Sequence, residues 1–203
     1  MINKIYLDEN YSTTRLLTQE KPILKNKPED KFESVLFLPE GKGRKGEGGL
    51  RTKDHFKKSY EDKPLVSVIT VVYNGEKYLE ETIQSVINQT YDNVEYIIID
   101  GGSVDGTLDI IKKYEDKIDY WVSEKDKGIY DAMNKGIALS HGKIIGIVNA
   151  DDLIYADTLA KVSHAFKNDE IMFTYGQVDL AGENSEIFDI AKSIGLQSLK
   201  YRL

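Results

Sequence analysis

The sequence predicts an α/β protein built on a mostly parallel sheet, and three observations support this prediction. From residue 65 onward, short apolar runs rich in β-branched residues alternate with segments in which apolar residues recur every three or four positions. The loops between these segments are short, as in consecutive βαβ units. The composition, 40% apolar and 30% charged residues, is that of a globular domain with one substantial core.

The first two strand–helix pairs carry the clearest patterns. LVSVITVVY (65–73) is an unbroken β-branched run, typical of a strand buried on both faces. The segment GEKYLEETIQSVINQ follows as a helix, with Asn74 as its predicted N-cap. VEYIIID (94–100) is the second strand, and SVDGTLDIIKKYED is a helix that Ser103 would cap. The residues predicted to face the core from these helices are Leu79, Ile83, Val86, Ile87, Leu108, Ile111 and Tyr114.

A third pair follows, with a shorter strand. DYWVSE (119–124) is predicted as a strand, and its two large aromatic residues are assigned to the core rather than to a sugar-binding surface. KGIYDAMNKGIALS is predicted as a helix, because Ile129, Met133 and Ile137 recur at helical spacing and would face the core.

The last part of the pattern begins with KIIGIVNA (143–150), predicted as a fourth buried strand that ends at two adjacent carboxylates. ADTLAKVSHAFKN is the next predicted helix, with Asp157 as its cap, and IMFTYG (171–176) is the fifth predicted strand. The whole of residues 65–203 is therefore predicted to be one domain.

Residues 1–64 are organised differently. They contain all four prolines and carry a net charge of +3, against −10 for residues 65–203. We predict an N-terminal extension with one short strand, FESVLFLPE (32–40), followed by a solvated linker rich in glycine and lysine. The linker contains a GxGxxG pattern at 41–46, but no helical stripe follows, so a dinucleotide site is not supported. Contact of this basic loop with phosphates or an anionic surface stays open.

The composition also excludes several classes of protein. The acidic main body argues against nucleic-acid binding. Without cysteine, neither disulfides nor a thiolate metal site can form. The N-terminus lacks a signal-peptide core, and no apolar run approaches a membrane span. The predicted location is the cytoplasm, with peripheral association at the inner face of the membrane left open.

Polar groups follow three of the predicted strands where each strand ends. Ligands of open α/β sheets bind at this edge, so these groups are the candidate site. A carboxylate at Asp100 could accept hydrogen bonds from a ribose hydroxyl or a base, or could simply cap its turn. The adjacent Asp151 and Asp152 could hold a divalent metal ion together with phosphate oxygens, or could face solvent at a helix cap. The three groups are Tyr73-Asn74, Asp100-Gly101-Gly102-Ser103 and Asn149-Ala150-Asp151-Asp152.

The run from PLVSVITVVYNGEKYLEETIQSVINQTYDNVEYIIIDGGSVDGT through GIYDAMNKGIALSHGKIIGIVNADD resembles the donor-binding half of a family 2 glycosyltransferase with the GT-A fold, over roughly residues 65–180. The resemblance implies inverting transfer of a sugar from a nucleotide diphosphate donor, assisted by Mn²⁺ or Mg²⁺. It implies that Tyr73 packs on the base and that Asp100 holds the base or ribose. Asn149, Ala150 and Asp151 stand at the metal-binding Asp-x-Asp motif, with Asp152 beside them.

The sequence departs from the family pattern at two positions. Gly101 stands where many relatives have a second Asp, so contacts to the base would depend more on Asp100. Asn149 replaces the first Asp of the metal motif and offers a neutral side chain to a ribose hydroxyl or a metal-bound water.

One helix offers further polar candidates. Lys127, Asp131 and Asn134 share the face opposite the predicted apolar stripe of their helix. If this face meets the cleft, Lys127 would contact the diphosphate, and the other two the sugar. A solvated polar face with an i,i+4 ion pair is the alternative. The three histidines are scattered and receive no catalytic role.

The general base that inverting transfer requires is not identified. Acidic residues beyond the fifth predicted strand are the only candidates, and none stands in a recognisable motif: Asp179, Glu183, Glu186 and Asp189. We therefore expect a donor-binding half with a short or missing acceptor part, which binds donor but transfers weakly.

The expected partners are a UDP-sugar and a saccharide or lipid-linked acceptor of cell-surface polysaccharide synthesis. Two alternatives stay open: a nucleotide-sugar-binding module without turnover, and a nucleotidyltransferase. The second would need a glycine-rich basic loop after the first strand, where VVYNGEKY offers one glycine and one lysine. The donor sugar and the oligomeric state are not predicted.

Overall fold

The computed structural model describes the following parts of the chain: residues 4–24, 26, 33–41, 43–168, 171, 173–174, 179–181 and 187–190. Contacts group residues 1–160 into one compact unit and residues 161–203 into a second. Within the described part of the chain, none of the helices combines the length and the apolar character needed to cross a bilayer.

The first unit is built on a five-stranded sheet, which confirms the predicted α/β class. Its strands are β1 (Gly46–Gly48), β2 (Val66–Val72), β3 (Val94–Asp100), β4 (Tyr120–Ser123) and β5 (Ile144–Ile147). They lie in the order β1-β4-β3-β2-β5; β2, β3, β4 and β5 are parallel, and β1 pairs antiparallel with β4. Every residue of β2, β3 and β4 is buried, as the β-branched runs of β2 and β3 predict for these two strands.

Four α-helices accompany the strands: α1 (Leu79–Ile87), α2 (Thr107–Lys113), α3 (Ile129–Leu139) and α4 (Thr158–Ala165). Two short 3₁₀ helices cover Leu50–Lys53 and Glu115–Lys117. The predicted caps of α1 and α2 are wrong, because these helices begin only after Tyr78 and Gly106. Asn74 and Ser103 instead hold the turns that follow β2 and β3, as described below.

The second unit contains a hairpin of β6 (Asp179–Ala181) and β7 (Ile187–Ile190), which pair antiparallel. The predicted fifth strand, 171–176, lies partly outside the described residues. Those of its positions that the structure describes, 171, 173 and 174, are in irregular conformation.

Helix α3 packs on the sheet through small residues, so the predicted core face of this helix is wrong in part. Its buried residues are Ala132, Gly136 and Leu139, whereas Ile129 is 53% exposed. A Cβ on Gly136 would stand 2.4 Å from Cγ2 of Ile69 on β2, so only glycine permits this close approach of helix to strand. Met133 and Ile137 are half-buried at the margin of the core.

Strand β5 forms the other edge of the sheet, and the prediction that it is a buried strand is wrong for one of its faces. Ile144 and Val148 are buried, but the intervening Ile145 and Ile147 are each 45% exposed. Side chains alternate between the two faces of a strand, so one face of β5 is covered and the other is open.

The segment before Pro64 packs closely within the first unit. Leu17 pairs with Ile5, and Thr18 pairs with Phe56 through two backbone hydrogen bonds. The predicted strand 32–40 is wrong for its described residues 33–40, which are irregular. The linker interpretation is wrong for residues 46–53, which form β1 and a 3₁₀ helix, because the backbone of this segment completes the free edge of β4.

A buried ion cluster joins this segment to the sheet. Nη2 of Arg51 lies 2.7 Å from Oε1 of Glu95, and both side chains are 1% exposed. The guanidinium also donates to the carbonyl oxygen of Leu139 at 2.8 Å. Backbone N of His141 donates to Oε2 of Glu95 at 2.9 Å, and its Nδ1 lies 3.1 Å from Oε1. Burial alone would raise the pKa of Glu95, but Arg51 and His141 hold this pKa well below its usual range.

A second buried charge from the same segment belongs to Lys57. Its Nζ donates to the carbonyl oxygens of Ser12, at 3.4 Å, and Arg15. Burial lowers the pKa of Lys57 to about 8 and raises the pKa of Asp119 to about 7. Oδ2 of Asp119 accepts the backbone N–H of Tyr96 at 2.8 Å, so this carboxyl group also braces β3.

We expect the free energy of unfolding to fall as the pH is lowered from about 4 to about 3. At higher pH the protonation of Asp119, whose pKa is raised to about 7, adds stability as the pH falls, so the loss from Glu95 is measured below that range. The folded-state pKa of Glu95 is lowered, so its contribution is present above its unfolded pKa of about 4.3 and is lost as the pH falls below that value. Urea denaturation across this pH series measures the effect. The loss should persist at high salt, because a buried pair is screened little; a flat profile would contradict the assignment.

Candidate functional site

A pocket of about 670 Å³ opens where β2, β3 and β4 end, and its volume lies within the range of small-molecule sites. Its lining comes from the ends of these strands, from the start of α3 and from the basic loop before β1. The lining residues are Gly43, Lys45, Val71, Val72, Tyr73, Gly101, Gly102, Lys125, Asp126, Gly128, Ile129 and Ala132.

The turn after β2 brings the first predicted group to this pocket. Tyr73 is 65% exposed and lines the pocket, so one of its faces is available for stacking. Asn74 has a φ of 53°, in the left-handed region that asparagine tolerates. Its backbone N donates to Oγ of Ser103 at 2.7 Å, and its Oδ1 accepts the N–H of Val104 at 2.9 Å. The structure thus joins the turn after β2 to the turn after β3.

Asp100 is fully buried at the end of β3, and its carboxylate is occupied by the protein. Backbone N of Ser103 lies 3.2 Å from both carboxylate oxygens, and Oγ of Ser103 donates to Oδ1. Oγ of Ser123 donates to Oδ2 at 2.5 Å. This geometry is that of a residue that holds its turn, which is one of the two roles the sequence left open. Contact of Asp100 with a nucleoside stays a prediction.

The two glycines after Asp100 let the chain pass close to the loop after β4. Gly102 has a φ of 85°, which a side chain would strain. A Cβ on Gly101 would stand 2.7 Å from Oδ2 of Asp126. Asp126 is a pocket residue that the sequence reasoning missed. The signal was available, because Asp126 follows a strand end as closely as the residues that were chosen.

Helix α3 contributes to the pocket, but with different residues from those predicted. Its first turn lines the pocket through Ile129 and Ala132, whereas the predicted Lys127, Asp131 and Asn134 are not among the lining residues. Oδ2 of Asp131 accepts the backbone N–H of Lys127 at 3.2 Å and lies 3.5 Å from Nζ of Lys135. An i,i+4 ion pair is therefore present on this helix, but it joins Asp131 to Lys135 and not to Lys127. The roles predicted for Lys127, Asp131 and Asn134 stay predictions.

The basic loop before β1 forms one wall of the pocket. Nζ of Lys45 donates to the carbonyl oxygens of Gly102, at 2.9 Å, and Ser103, at 2.8 Å. Nη2 of Arg44 lies 2.9 Å from Oε2 of Glu124. These contacts fix the loop against the ends of β3 and β4. After β1 the chain enters a 3₁₀ helix of four residues, and not the α-helix that a Rossmann-type dinucleotide site requires.

The turn 149–152 follows β5. The loop after β2 lies between this turn and the pocket. The carbonyl oxygen of Ala150 accepts Oγ1–H of Thr82 at 2.9 Å, which ties this turn to α1. Asp151 and Asp152 are both exposed. Nδ2 of Asn149 donates to Oδ2 of Asp152 at 2.8 Å, while Asp151 has no hydrogen-bond or ion-pair partner among the described residues.

These two carboxylates suit a divalent cation that also binds a ligand. The described residues contain no group of three or more histidines or carboxylates that could hold a metal by itself. Two solvent-facing carboxylates with open coordination positions are the donor set that Mg²⁺ or Mn²⁺ takes with phosphate oxygens. The residues present therefore fit a metal bound together with a diphosphate.

The candidates for the general base all belong to the second unit. In the backbone register of the β6–β7 hairpin, Asp179 pairs with Ile190, and Asp189 pairs with Leu180. Glu183 and Glu186 lie outside the described residues. Each of the four stays a prediction.

Comparison with known proteins finds similarity to glycosyltransferases. Residues 67–202 match the family described as Glycosyl transferase family 2. An uncharacterised glycosyltransferase of Haemophilus influenzae is 39% identical over 115 residues, which are 55% of this chain and 36% of that protein. A Bacillus subtilis protein named "Putative teichuronic acid biosynthesis glycosyltransferase TuaG" is 34% identical over 131 residues, 63% of this chain and 52% of that protein.

Among solved structures, the mannosyltransferase PcManGT from Pyrobaculum calidifontis, in complex with GDP-Man and Mn²⁺, is similar with a TM-score of 0.53 and 27% identity. The match covers 58% of this chain and 36% of that one. The chain thus spans about half or less of the length of these relatives. The five-stranded sheet with flanking helices is the GT-A type of fold. Since the family match covers most of the chain, the protein belongs to glycosyl transferase family 2.

Proposed function

We propose that this chain binds a nucleotide diphosphate sugar, with uridine as the nucleoside, and supplies the donor site of an inverting glycosyl transfer. The observation that carries the proposal is the placement of the pocket and the carboxylate pair on either side of the loop after β2. Tyr73 lines the pocket on one side, and Gly75 meets the turn that carries Asp151 on the other, with its ideal Cβ 3.8 Å from Cβ of Ala150.

The spacing of the strands suits one extended ligand. Neighbouring strands lie about 4.8 Å apart, so the ends of β4 and β5, three spacings apart, are separated by roughly 14 Å. A nucleoside in the pocket at β3 and β4 would therefore direct its diphosphate across β2 toward Asp151 and Asp152. Stacking on Tyr73 would hold the base, and Lys127 is proposed to approach the phosphates from the start of α3.

In this proposal Asp151 and Asp152 hold Mn²⁺ or Mg²⁺ together with the diphosphate oxygens. The ion would neutralise negative charge that develops on the diphosphate leaving group. Asn149 orients one of the carboxylates, because its amide donates to Asp152. Asp131 and Asn134 are proposed to contact the sugar. The mannosyltransferase that resembles this fold was solved with a nucleotide sugar and Mn²⁺, which supports this division of roles.

The acceptor is proposed to be a saccharide or a lipid-linked saccharide of cell-surface polysaccharide synthesis, used at the cytoplasmic side of the membrane. The name of the Bacillus subtilis relative supports this class. A carboxylate must take the proton of the acceptor hydroxyl, and Asp179, Glu183, Glu186 and Asp189 are the proposed candidates. Binding without turnover is the alternative, and a transfer assay beside a binding assay distinguishes the two.

We expect UDP to bind tightly only when Mn²⁺ or Mg²⁺ is present. Isothermal titration calorimetry with UDP, with Mn²⁺ and then with excess chelator, measures this dependence. Asp151→Ala should weaken binding in Mn²⁺ by about 10- to 100-fold, the effect of losing one charged interaction. The variant should still fold, because Asp151 is exposed and has no partner among the described residues.

Asp109→Ala is the matched control for this experiment. It removes an exposed carboxylate from α2, away from the pocket lining, and should leave UDP binding and its metal dependence unchanged. Equal UDP affinity in Mn²⁺ and in chelator would contradict the proposed metal role, whereas failure of UDP to bind at all would contradict the donor site.

A further inference from the structure

Asp126 lines the pocket with a carboxylate oxygen, Oδ2, that accepts no hydrogen bond from the described part of the chain. From this we propose that Asp126 recognises the base of the donor nucleotide, accepting the ring N–H of a uracil or guanine. The inference deepens the proposed donor site and depends on it.

Asp126 is held in place by its own loop. Its Oδ1 accepts the backbone N–H of Gly128 at 2.8 Å, which fixes the orientation of the carboxylate at the start of α3. Among the described residues, its Oδ2 accepts no hydrogen bond. This oxygen stands 2.7 Å from the ideal Cβ position of Gly101, so it occupies the space that a side chain at 101 would take. A fixed carboxylate with one open oxygen on a pocket wall is suited to a ligand donor.

The other carboxylate at this end of the pocket is not available in the same way. Asp100 is fully buried, and Ser103 and Ser123 supply hydrogen bonds to both of its oxygens. Rotating it toward a ligand would leave these buried donors without an acceptor. Asp126 therefore offers a ligand a free acceptor oxygen, which Asp100 at the end of β3 does not.

The chemistry of the bases makes this carboxylate selective. Uracil and guanine carry a protonated ring nitrogen next to a carbonyl, whereas neutral cytosine and adenine present an unprotonated ring nitrogen at the corresponding edge. A carboxylate only accepts hydrogen bonds, so it favours the protonated ring nitrogen of the first pair and repels the lone pair on the ring nitrogen of the second. Lys45 and Lys125 line the same pocket, and Nζ of Lys45 already donates to the carbonyl oxygens of Gly102 and Ser103. Lys45 belongs to the segment before residue 67, where the family match begins.

The test compares UDP, GDP, CDP and ADP, each with Mn²⁺, by calorimetry against the whole chain and against Asp126→Asn. The parent should bind UDP or GDP at least about 10-fold more tightly than CDP and ADP, the value of one hydrogen bond to a charged group. In Asp126→Asn, Oδ1 can still accept the N–H of Gly128, which turns the amide NH₂ toward the base. UDP and GDP should then lose about 10-fold or more in affinity, while CDP and ADP stay unchanged or gain.

Asp109→Asn is the control substitution, since it changes the same functional group on the exposed surface of α2. Thermal unfolding of each variant verifies that the fold is intact. Cytidine titrated without metal verifies the nucleoside pocket, because its base has no ring N–H for Asp126 to accept. If the loop were disturbed by the amide, Asp126→Ala should still lower UDP affinity more than CDP affinity.

The outcomes separate this inference from the proposed function. If the parent binds all four nucleotides equally, or if Asp126→Asn weakens all four equally, the base-recognition role is wrong while the donor site stands. If none of the four binds, the proposed function fails and this inference fails with it.

Discussion

Replacement of Arg51 by Met is expected to lower the free energy of unfolding by about 3–5 kcal/mol. The guanidinium is buried against Glu95, and methionine would fill similar space without any charge. Glu95 would then remain a buried carboxylate that has lost its main counter-charge, with side-chain hydrogen bonds to His141 and Ser67. The carbonyl oxygen of Leu139 would lose a donor as well.

Urea denaturation at neutral pH measures the effect of Arg51→Met. Lys53→Met is the matched control, because Lys53 lies in the same 3₁₀ helix and pairs with Glu115 at 3.3 Å in an exposed position. Exposed pairs contribute little, so this control should change stability by less than about 1 kcal/mol. Similar effects of the two substitutions would show that the buried pair does not stabilise the fold as described.

The second large effect is expected at Asp100. Asp100→Ala removes the acceptor for the backbone N–H and hydroxyl of Ser103 and for the hydroxyl of Ser123, all of which are buried. Unsatisfied buried donors cost about 1–3 kcal/mol each, and hydroxyl rotation can relieve some of this, so we expect a loss of about 2–4 kcal/mol. Uridine binding should weaken too, because the turn from Gly101 to Ser103 would lose its anchor.

Asp100→Asn distinguishes anchoring from ligand contact. The amide retains one acceptor oxygen and nearly the same shape, so it should recover part of the stability that Asp100→Ala loses, and part of the uridine binding. Denaturation and calorimetry on both variants give the comparison. A variant with unchanged stability but no uridine binding would contradict the anchoring role and would instead make Asp100 a direct ligand of the nucleoside.

The sequence predicted the sheet well because its signals are local. β-branched runs identify β2 and β3, and a short apolar segment with two aromatic residues identifies β4. The polar residues at strand ends identify the edge where Tyr73 and the carboxylate pair lie. The exposed face of β5 was missed because Ile145 and Ile147 have the same apolar character as buried residues. Hydropathy along a strand does not indicate whether anything covers a face.

The features that sequence reasoning missed depend on contacts between distant segments. Small residues on α3 face the sheet because Gly136 lies against Ile69. These two residues are 67 positions apart in the sequence, so no local pattern indicates their contact. Asp100 was given two roles, ligand contact or turn anchor, because its hydrogen bonds with Ser103 and Ser123 cannot be read from a linear sequence. Asp126 was overlooked although it follows a strand end, because its place on the pocket wall becomes evident only where it meets Gly101.

The buried charges contributed by Arg51 and Lys57 have a consequence for how such genes can recombine. A crossover at residue 67, where similarity to the family begins, would transfer Glu95 without Arg51, its ion-pair partner, and Asp119 without Lys57, whose charge lowers its pKa. The hybrid would inherit Glu95 as an unpaired carboxylate in its interior, with a cost of several kcal/mol. Gene hybrids that fold should therefore also contain the preceding segment. We expect residues 1–64 and the family domain to be inherited together.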